Sequence, residues 1–210
     1  MRARRGAAAV LVAAASLALA ACAGGGIAQS TPASNGQSFV SGDGGTTVFG
    51  ASSAPQAPPV TGTTLGGAKL SLSQFRGKTV LLFFQEGLTC QPCWDQITDL
   101  QKHAAQLMAA GIGQVVSITT DPIAAITTKA RDMGLTIPVL SDPALAVSRQ
   151  YQASSYGMMG ASRDGHTFIL VGPDGTIRWR ADYGGPPKYT MFLPTTSLLA
   201  DIKAGEHPSS

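Results

Sequence analysis

Two cysteines three positions apart, in the stretch FFQEGLTCQPCWDQ (83–96), are the residues of this 210-residue chain best suited to covalent chemistry. A thiolate is a strong nucleophile, but a free thiol near neutral pH is mostly protonated. At a helix N-terminus a cysteine meets unpaired backbone N–H groups and the positive end of the helix dipole, and both stabilise the thiolate. The order Cys90-Gln91-Pro92-Cys93 puts Cys90 at an N-cap, Pro92 near the first helical position and Cys93 one turn inside. Cys90 is then the exposed attacking sulfur, and Cys93 is the partner that resolves a mixed disulfide from within. Two other chemistries compete for the pair, a metal clamp and a structural staple. A staple gains by closing a long loop, and this loop is close to the shortest possible. Two cysteines are also too few for a zinc site made of cysteine alone.

The elements that must position this pair can be read on either side of it. TVLLFF (79–84) is a continuous apolar run, the pattern of a central strand buried on both faces. From Pro92 to Ala109, Trp94, Ile97, Leu100, Ala104, Leu107 and Met108 recur at helical spacing, and Gly111 and Gly113 end the helix. Ahead of the strand, GTTLGGAKLSL reads as a short hairpin turning at Gly66-Gly67. Behind the helix come a second buried strand at 115–119 and a helix opened by Asp121 as N-cap and Pro122 as first residue, reaching about Met133. Next are a short extended segment at 138–140 and a short helix opened by Ser141-Asp142-Pro143 and reaching about Tyr151. HTFILV (166–171) and TIRWRA (176–181) then flank the turn Gly172-Pro173-Asp174-Gly175 as a β-hairpin. A last helix covers about Thr195 to Ala204. Helical crossovers followed by an antiparallel hairpin give an α/β fold, a central mixed sheet flanked by helices with an N-terminal hairpin extension. This is the thioredoxin-like order, with the cysteines where the first central strand meets its helix.

The third cysteine belongs to a different segment. MRARRG is a basic start, AAAVLVAAASLALA is an apolar run too short to span a bilayer comfortably, and Leu19-Ala20-Ala21-Cys22 follows. Together they read as an export signal over 1–21. The tetrapeptide resembles the lipobox of bacterial lipoproteins, which implies cleavage before Cys22, a diacylglyceryl thioether on it, and an extracytoplasmic protein lipid-anchored to the cell membrane. Residues 22–57, rich in Gly, Ser, Thr, Ala and Pro, read as a flexible tether. The domain follows over 58–205, with a tail at 206–210. Removing Arg2, Arg4 and Arg5 with the signal brings the 15 basic residues level with the 12 acidic ones, which leaves no basic footprint for nucleic acid.

The phrases GAKLSLSQFRGKTVLLFFQEGLTCQPCWDQI, PVLSDPALAVSRQY and HTFILVGPDGTIRWR resemble the alkyl hydroperoxide reductase / thiol-specific antioxidant branch of the thioredoxin-like superfamily over about residues 58 to 204. Closest in character are the membrane-anchored redoxins of bacteria. The resemblance implies thiol–disulfide exchange through Cys90 and Cys93, no cofactor, and protein thiols or disulfides or a membrane electron donor as partners. Several neighbours depart from the family pattern. Thr89 stands before the first cysteine where thioredoxins carry Trp, and Trp94 follows the second. Against the peroxiredoxin pattern Pro-x-x-x-Thr-x-x-Cys aligned on Cys93, Glu86 replaces the proline and Cys90 the threonine. Gly165 stands where a proline or arginine is expected three residues before Phe168, and Arg163, two positions away, is the candidate to stand in for that arginine, which makes Arg163 and Thr89 candidate modulators of the pair. A two-cysteine peroxidase, with Cys93 attacking and Cys90 resolving, is the alternative reading.

Four further residues expected near the pair carry open roles. The loop before HTFILV is expected opposite the cysteine loop, which would bring His166 close to both sulfurs. There it is a hydrogen-bonded polar residue, a modulator of the thiolates, or a copper ligand with Cys90 and Cys93, as in the Sco-type copper chaperones that share the fold. Met158-Met159 would add soft ligands or simply pack. Glu86 is a solvent-facing loop residue or a proton shuttle for the inner thiol. His103 and His207 read as solvated, and the segment from Asp182 to Pro187 reads as a rigid loop with no chemical role.

Overall fold

The computed structural model describes residues 46–48, 54–186 and 188–206. The signal segment, Cys22, His207 and the end of the tail lie outside the described residues. No described helix is long and apolar enough to cross a membrane.

Thr79–Gln85 forms the central strand, with the hairpin extension and an edge strand before it. In chain order the strands are β1 (Thr46–Val48), β2 (Thr61–Thr64), β3 (Lys69–Ser71), β4 (Thr79–Gln85), β5 (Ile112–Thr119), β6 (Val139–Ser141), β7 (Thr167–Val171) and β8 (Ile177–Asp182). They lie in one sheet in the order β1-β8-β7-β4-β5-β6-β2-β3. β4, β5 and β6 are parallel, and the other pairings are antiparallel. The helices are α1 (Gln91–Lys102), α2 (Ala104–Ala109), α3 (Ile123–Asp132), α4 (Ala146–Gln150) and α5 (Thr195–Glu206).

The pleat explains the unbroken apolar run in β4. Leu81 and Phe83 face one core layer with Trp94, Ile97 and Leu100 of α1, Ile126 of α3, and Leu198 and Ile202 of α5. Val80, Leu82 and Phe84 face the other, with Val116, Ile118, Ile169, Val147 and Tyr151. Since both faces are covered, no position between Thr79 and Gln85 is left for a polar residue.

Several boundaries differ from the expectations. The helix after the cysteines is two pieces: the turn at His103 leaves helical geometry, and its Nδ1 sits 2.8 Å from the Asp99 carbonyl and 3.2 Å from the Asp99 carboxylate. His103 is thus a half-buried partner of Asp99 rather than a solvated residue. Gly111, at φ 83°, ends α2, whereas Gly113 lies inside β5. Thr46–Val48, within the stretch read as a tether, pairs with β8 as an edge strand, so sheet pairing begins before residue 58. The helix expected to open at Ser141-Asp142-Pro143 begins only at Ala146, with Leu145 in the N-cap position at φ 55°. Asp142, three residues before that cap, still serves the helix start, its carboxylate accepting the backbone N–H groups of Ala146, Val147 and Ser148.

The stretch 153–165 is fastened to α4 through a shared hydroxyl. Ser148 Oγ lies 2.7 Å from Asp142 Oδ2 and 3.0 Å from Asp164 Oδ2, and one hydroxyl proton serves only one of them. Burial pushes the Asp164 carboxyl up to about 8, so at neutral pH it is protonated and supplies the second proton.

Candidate functional site

Gln85 ends β4, and the chain then turns through Glu86-Gly87-Leu88-Thr89 into α1. Cys90 is the N-cap, and its Sγ accepts the Cys93 N–H at 3.2 Å. Pro92 in the first turn loses no hydrogen bond, because N–H groups there have no intrahelical partner. The two sulfurs are joined as a disulfide with Cα atoms 5.3 Å apart. Cys90 retains 6% exposure and Cys93 none, which leaves Cys90 as the sulfur an incoming group reaches. Met191, on the chain leading into α5, packs against both.

Side chains from four directions hold the turn. Gly87 N–H donates to Gln85 Oε1 at 3.0 Å, and Gly87 C=O accepts from Trp94 Nε1 and from the Cys90 N–H, each at 3.0 Å. Leu88 N–H donates to Asp121 Oδ2 at 2.6 Å. Arg163 Nη1 donates at 2.9 Å both to the Glu86 carbonyl and to Asp121 Oδ1. Asp121 therefore does not cap α3. The cap is Pro122, and α3 has no side-chain cap bond. Sequence reasoning read Asp-Pro as a helix start and missed this role; the usable signal was a strong acceptor placed right after a strand parallel to the one feeding the cysteines.

The other expected residues fall as follows. Thr89 is exposed beside Cys90. Glu86 is buried rather than solvent-facing: its Oε1 accepts the Met158 N–H at 2.9 Å. That bond attaches the 153–165 stretch to the cysteine turn. Met158 and Met159 are exposed rather than packed. At Gly165, a Cβ would overlap the Tyr156 carbonyl and crowd Gly157 N. The proline or arginine of the family pattern has no room there, because the 153–157 backbone already occupies the space.

His166 differs most from expectation. Its ring is fully buried, 4.8 Å from Phe83 and 5.3 Å from Phe168 between centroids, with Tyr183 beyond at 6.4 Å. Neither ring nitrogen has a hydrogen-bond partner. It does not join the cysteines as a ligand set: among the described residues no three of His, Cys, Asp and Glu are grouped to hold a metal ion. Burial pushes His166 down to about 3, so the folded ring stays neutral while an unfolded chain takes up a proton below about 6.5. Its stability contribution is present above pH 6.5 and is lost as pH falls through that window toward 3. His166→Phe, which keeps a ring and removes two orphaned nitrogens, should raise stability by on the order of 2 kcal/mol at pH 4.5 and by less at pH 7. Urea unfolding at the two pH values measures the difference.

A family model described as AhpC/TSA family matches residues 54–180. Two curated Mycobacterium tuberculosis proteins from different strains, provisionally named as peroxiredoxins, are 32% identical over 127 residues, covering 58% of this chain and 79% of each relative. Among solved structures, peroxidoxin BcpB from Mycobacterium tuberculosis superposes with a TM-score of 0.59 at 18% identity, over 72% of this chain and 96% of its own. The reduced 2-Cys peroxiredoxin of Plasmodium vivax gives 0.59 at 18%, over 72% and 80%. At those identities the likeness shows the fold, which is thioredoxin-like.

Proposed function

The chain belongs to the AhpC/TSA family, and from that premise we propose that this thiol-dependent oxidoreductase exchanges disulfides through Cys90 and Cys93. The observation that carries the reading is Cys90 at the N-cap of α1, bonded to a fully buried Cys93. In the reduced enzyme the Cys90 thiolate attacks a partner disulfide, forms a mixed disulfide and releases one partner thiolate. Cys93, losing its proton to solvent, then displaces the second partner thiolate. The products are the Cys90–Cys93 disulfide and a reduced partner, a two-electron transfer.

A second reading, hydroperoxide reduction with Cys93 attacking and Cys90 resolving, is supported by the names of the two curated relatives. Against it stand the cysteine in the usual threonine position and the lack of room for a side chain at Gly165. Given equal amounts of a dithiol reductant, the enzyme should turn over a protein disulfide such as insulin faster than hydrogen peroxide. Faster peroxide turnover would reverse the order of the two readings.

The proposed setting is the outer face of a bacterial membrane, reached through lipid on Cys22. The partners proposed there are protein thiols or disulfides, or a membrane electron donor. Support comes from the order of basic start, apolar run and Leu-Ala-Ala-Cys. One acyl chain binds a membrane only marginally, and the several chains of a lipoprotein anchor it stably.

A further inference from the structure

We propose that Asp121 is a positioning residue for thiol chemistry: its carboxylate fixes the Gly87–Leu88 peptide and with it the seat of Cys90. The proposal rests on the reading of Cys90 as the attacking sulfur.

Three observations converge on it. The first is connectivity. Asp121 Oδ2 accepts the Leu88 N–H at 2.6 Å, and the Gly87 carbonyl of that same peptide accepts the Cys90 N–H at 3.0 Å. One rigid amide plane links the carboxylate to the N-cap. The second is close approach. Gly87 has φ 99°, in the region that favours glycine, and a Cβ there would overlap Asp121 Oδ2. The turn has the residue that lets the carboxylate come this close. The third is what Asp121 gives up. An aspartate at an N-cap stabilises a helix start, yet α3 begins without a side-chain cap while Asp121 turns to another loop. A local preference overridden in this way is expected at functional sites.

The charge of Asp121 is compensated. Its Oδ1 pairs with Arg163 Nη1 at 2.9 Å, and Thr119 Oγ1 lies 3.4 Å from Oδ2. The carboxylate therefore orders the turn without presenting an unpaired negative charge to the thiolate it helps to seat. Arg163, through its second bond to the Glu86 carbonyl, holds the preceding peptide, so consecutive peptides of the turn hang on one ion pair.

Peptide-resolved iodoacetamide alkylation of Cys90, in the reduced full-length chain across about pH 5 to about pH 10, tests this. Asp121→Ala should move the alkylation midpoint to higher pH by about one unit, because Cys90 loses its fixed place over the helix N-terminus. Gly87→Ala, which displaces the carboxylate without removing it, should move it the same way. Asp121→Asn keeps an oxygen for the Leu88 N–H and should stay within a few tenths of a unit of wild type, roughly. A folded Asp121→Ala variant with the wild-type midpoint would overturn the proposal, as would an Asn variant shifted as far as the Ala variant. Should both alanine variants fail to fold, amide exchange at Leu88 in the wild-type chain decides. Protection by about a hundredfold or more supports the bond, and free exchange removes it. None of these readouts uses a disulfide or peroxide substrate. An enzyme that performs no exchange would overturn the function proposed above while leaving the Asp121 result readable.

Discussion

Cys90→Ser should lower disulfide-exchange turnover by about a thousandfold or more while leaving the fold intact. A serine hydroxyl stays protonated at neutral pH and cannot form the mixed disulfide from which the reaction proceeds. The fold should hold because the pair lies at the end of α1, beyond the main core layers built on β4. Closing a loop this short also constrains the unfolded chain little. Cys93→Ser should give a different failure. Cys90 still attacks, but no thiol displaces the partner, so a covalent complex with the substrate accumulates on a non-reducing gel. Full turnover in the double variant would end the account, since among the described residues these are the only two cysteines.

Asp182→Ala should destabilise the domain by about 3–5 kcal/mol, the cost typical of leaving one member of a buried ion pair without its partner. Arg180 is fully buried and makes a two-pronged contact with Asp182, Nε to Oδ2 at 2.6 Å and Nη2 to Oδ1 at 2.7 Å. Thr167 Oγ1 also donates to Asp182 Oδ1 at 2.7 Å, which ties the start of β7 to the end of β8. The guanidinium reaches on to the Tyr151 and Gln152 carbonyls beyond α4 and lies 5.2 Å from the Tyr156 ring. Removing the carboxylate thus loosens both the hairpin and the start of the 153–165 stretch, the stretch that carries Arg163 to the cysteine turn. Thermal unfolding should fall by roughly 10 °C. A shift of about 2 °C or less would mean that Arg180 is satisfied without Asp182.

How far such features can be read in advance depends on the range of the interactions that make them. TVLLFF, the Gly66-Gly67 turn, the hairpin around Pro173-Asp174 and the place of Cys90 at a helix start are set by neighbours in sequence, and all were legible. Asp142 serves the first-turn N–H groups of Ala146, Val147 and Ser148, all within six residues, although the helix itself begins later than its Asp-Pro signal suggested. Asp121 carries the same local signal and does something else, because Leu88, thirty-three residues earlier, is delivered to it by the pairing of β4 with β5. Local pattern cannot announce that competition. Arg180 and Asp182 looked like ordinary strand and loop charges, yet both are buried, and the Tyr151 and Gln152 carbonyls and the Tyr156 ring that meet Arg180 come from a segment distant in sequence. His166 was expected to meet the sulfurs. The fold instead turns its ring into Phe83, Phe168 and Tyr183, on the core face that these aromatic residues already line. Gly165 stood out as a departure from the family pattern, and the Tyr156 carbonyl beside it supplies the reason.

The central claim is that Cys90 and Cys93 form a reversible two-electron couple rather than a fixed staple. Equilibrium titration of the purified chain in glutathione or dithiothreitol buffers, read by the fraction of Cys90 and Cys93 that resists alkylation, tests it most directly. The account predicts one transition for both cysteines, with a slope for two electrons, at a potential above about −300 mV, where structural disulfides do not titrate. A pair that stays oxidised at all those potentials, or two cysteines that change independently, would contradict it.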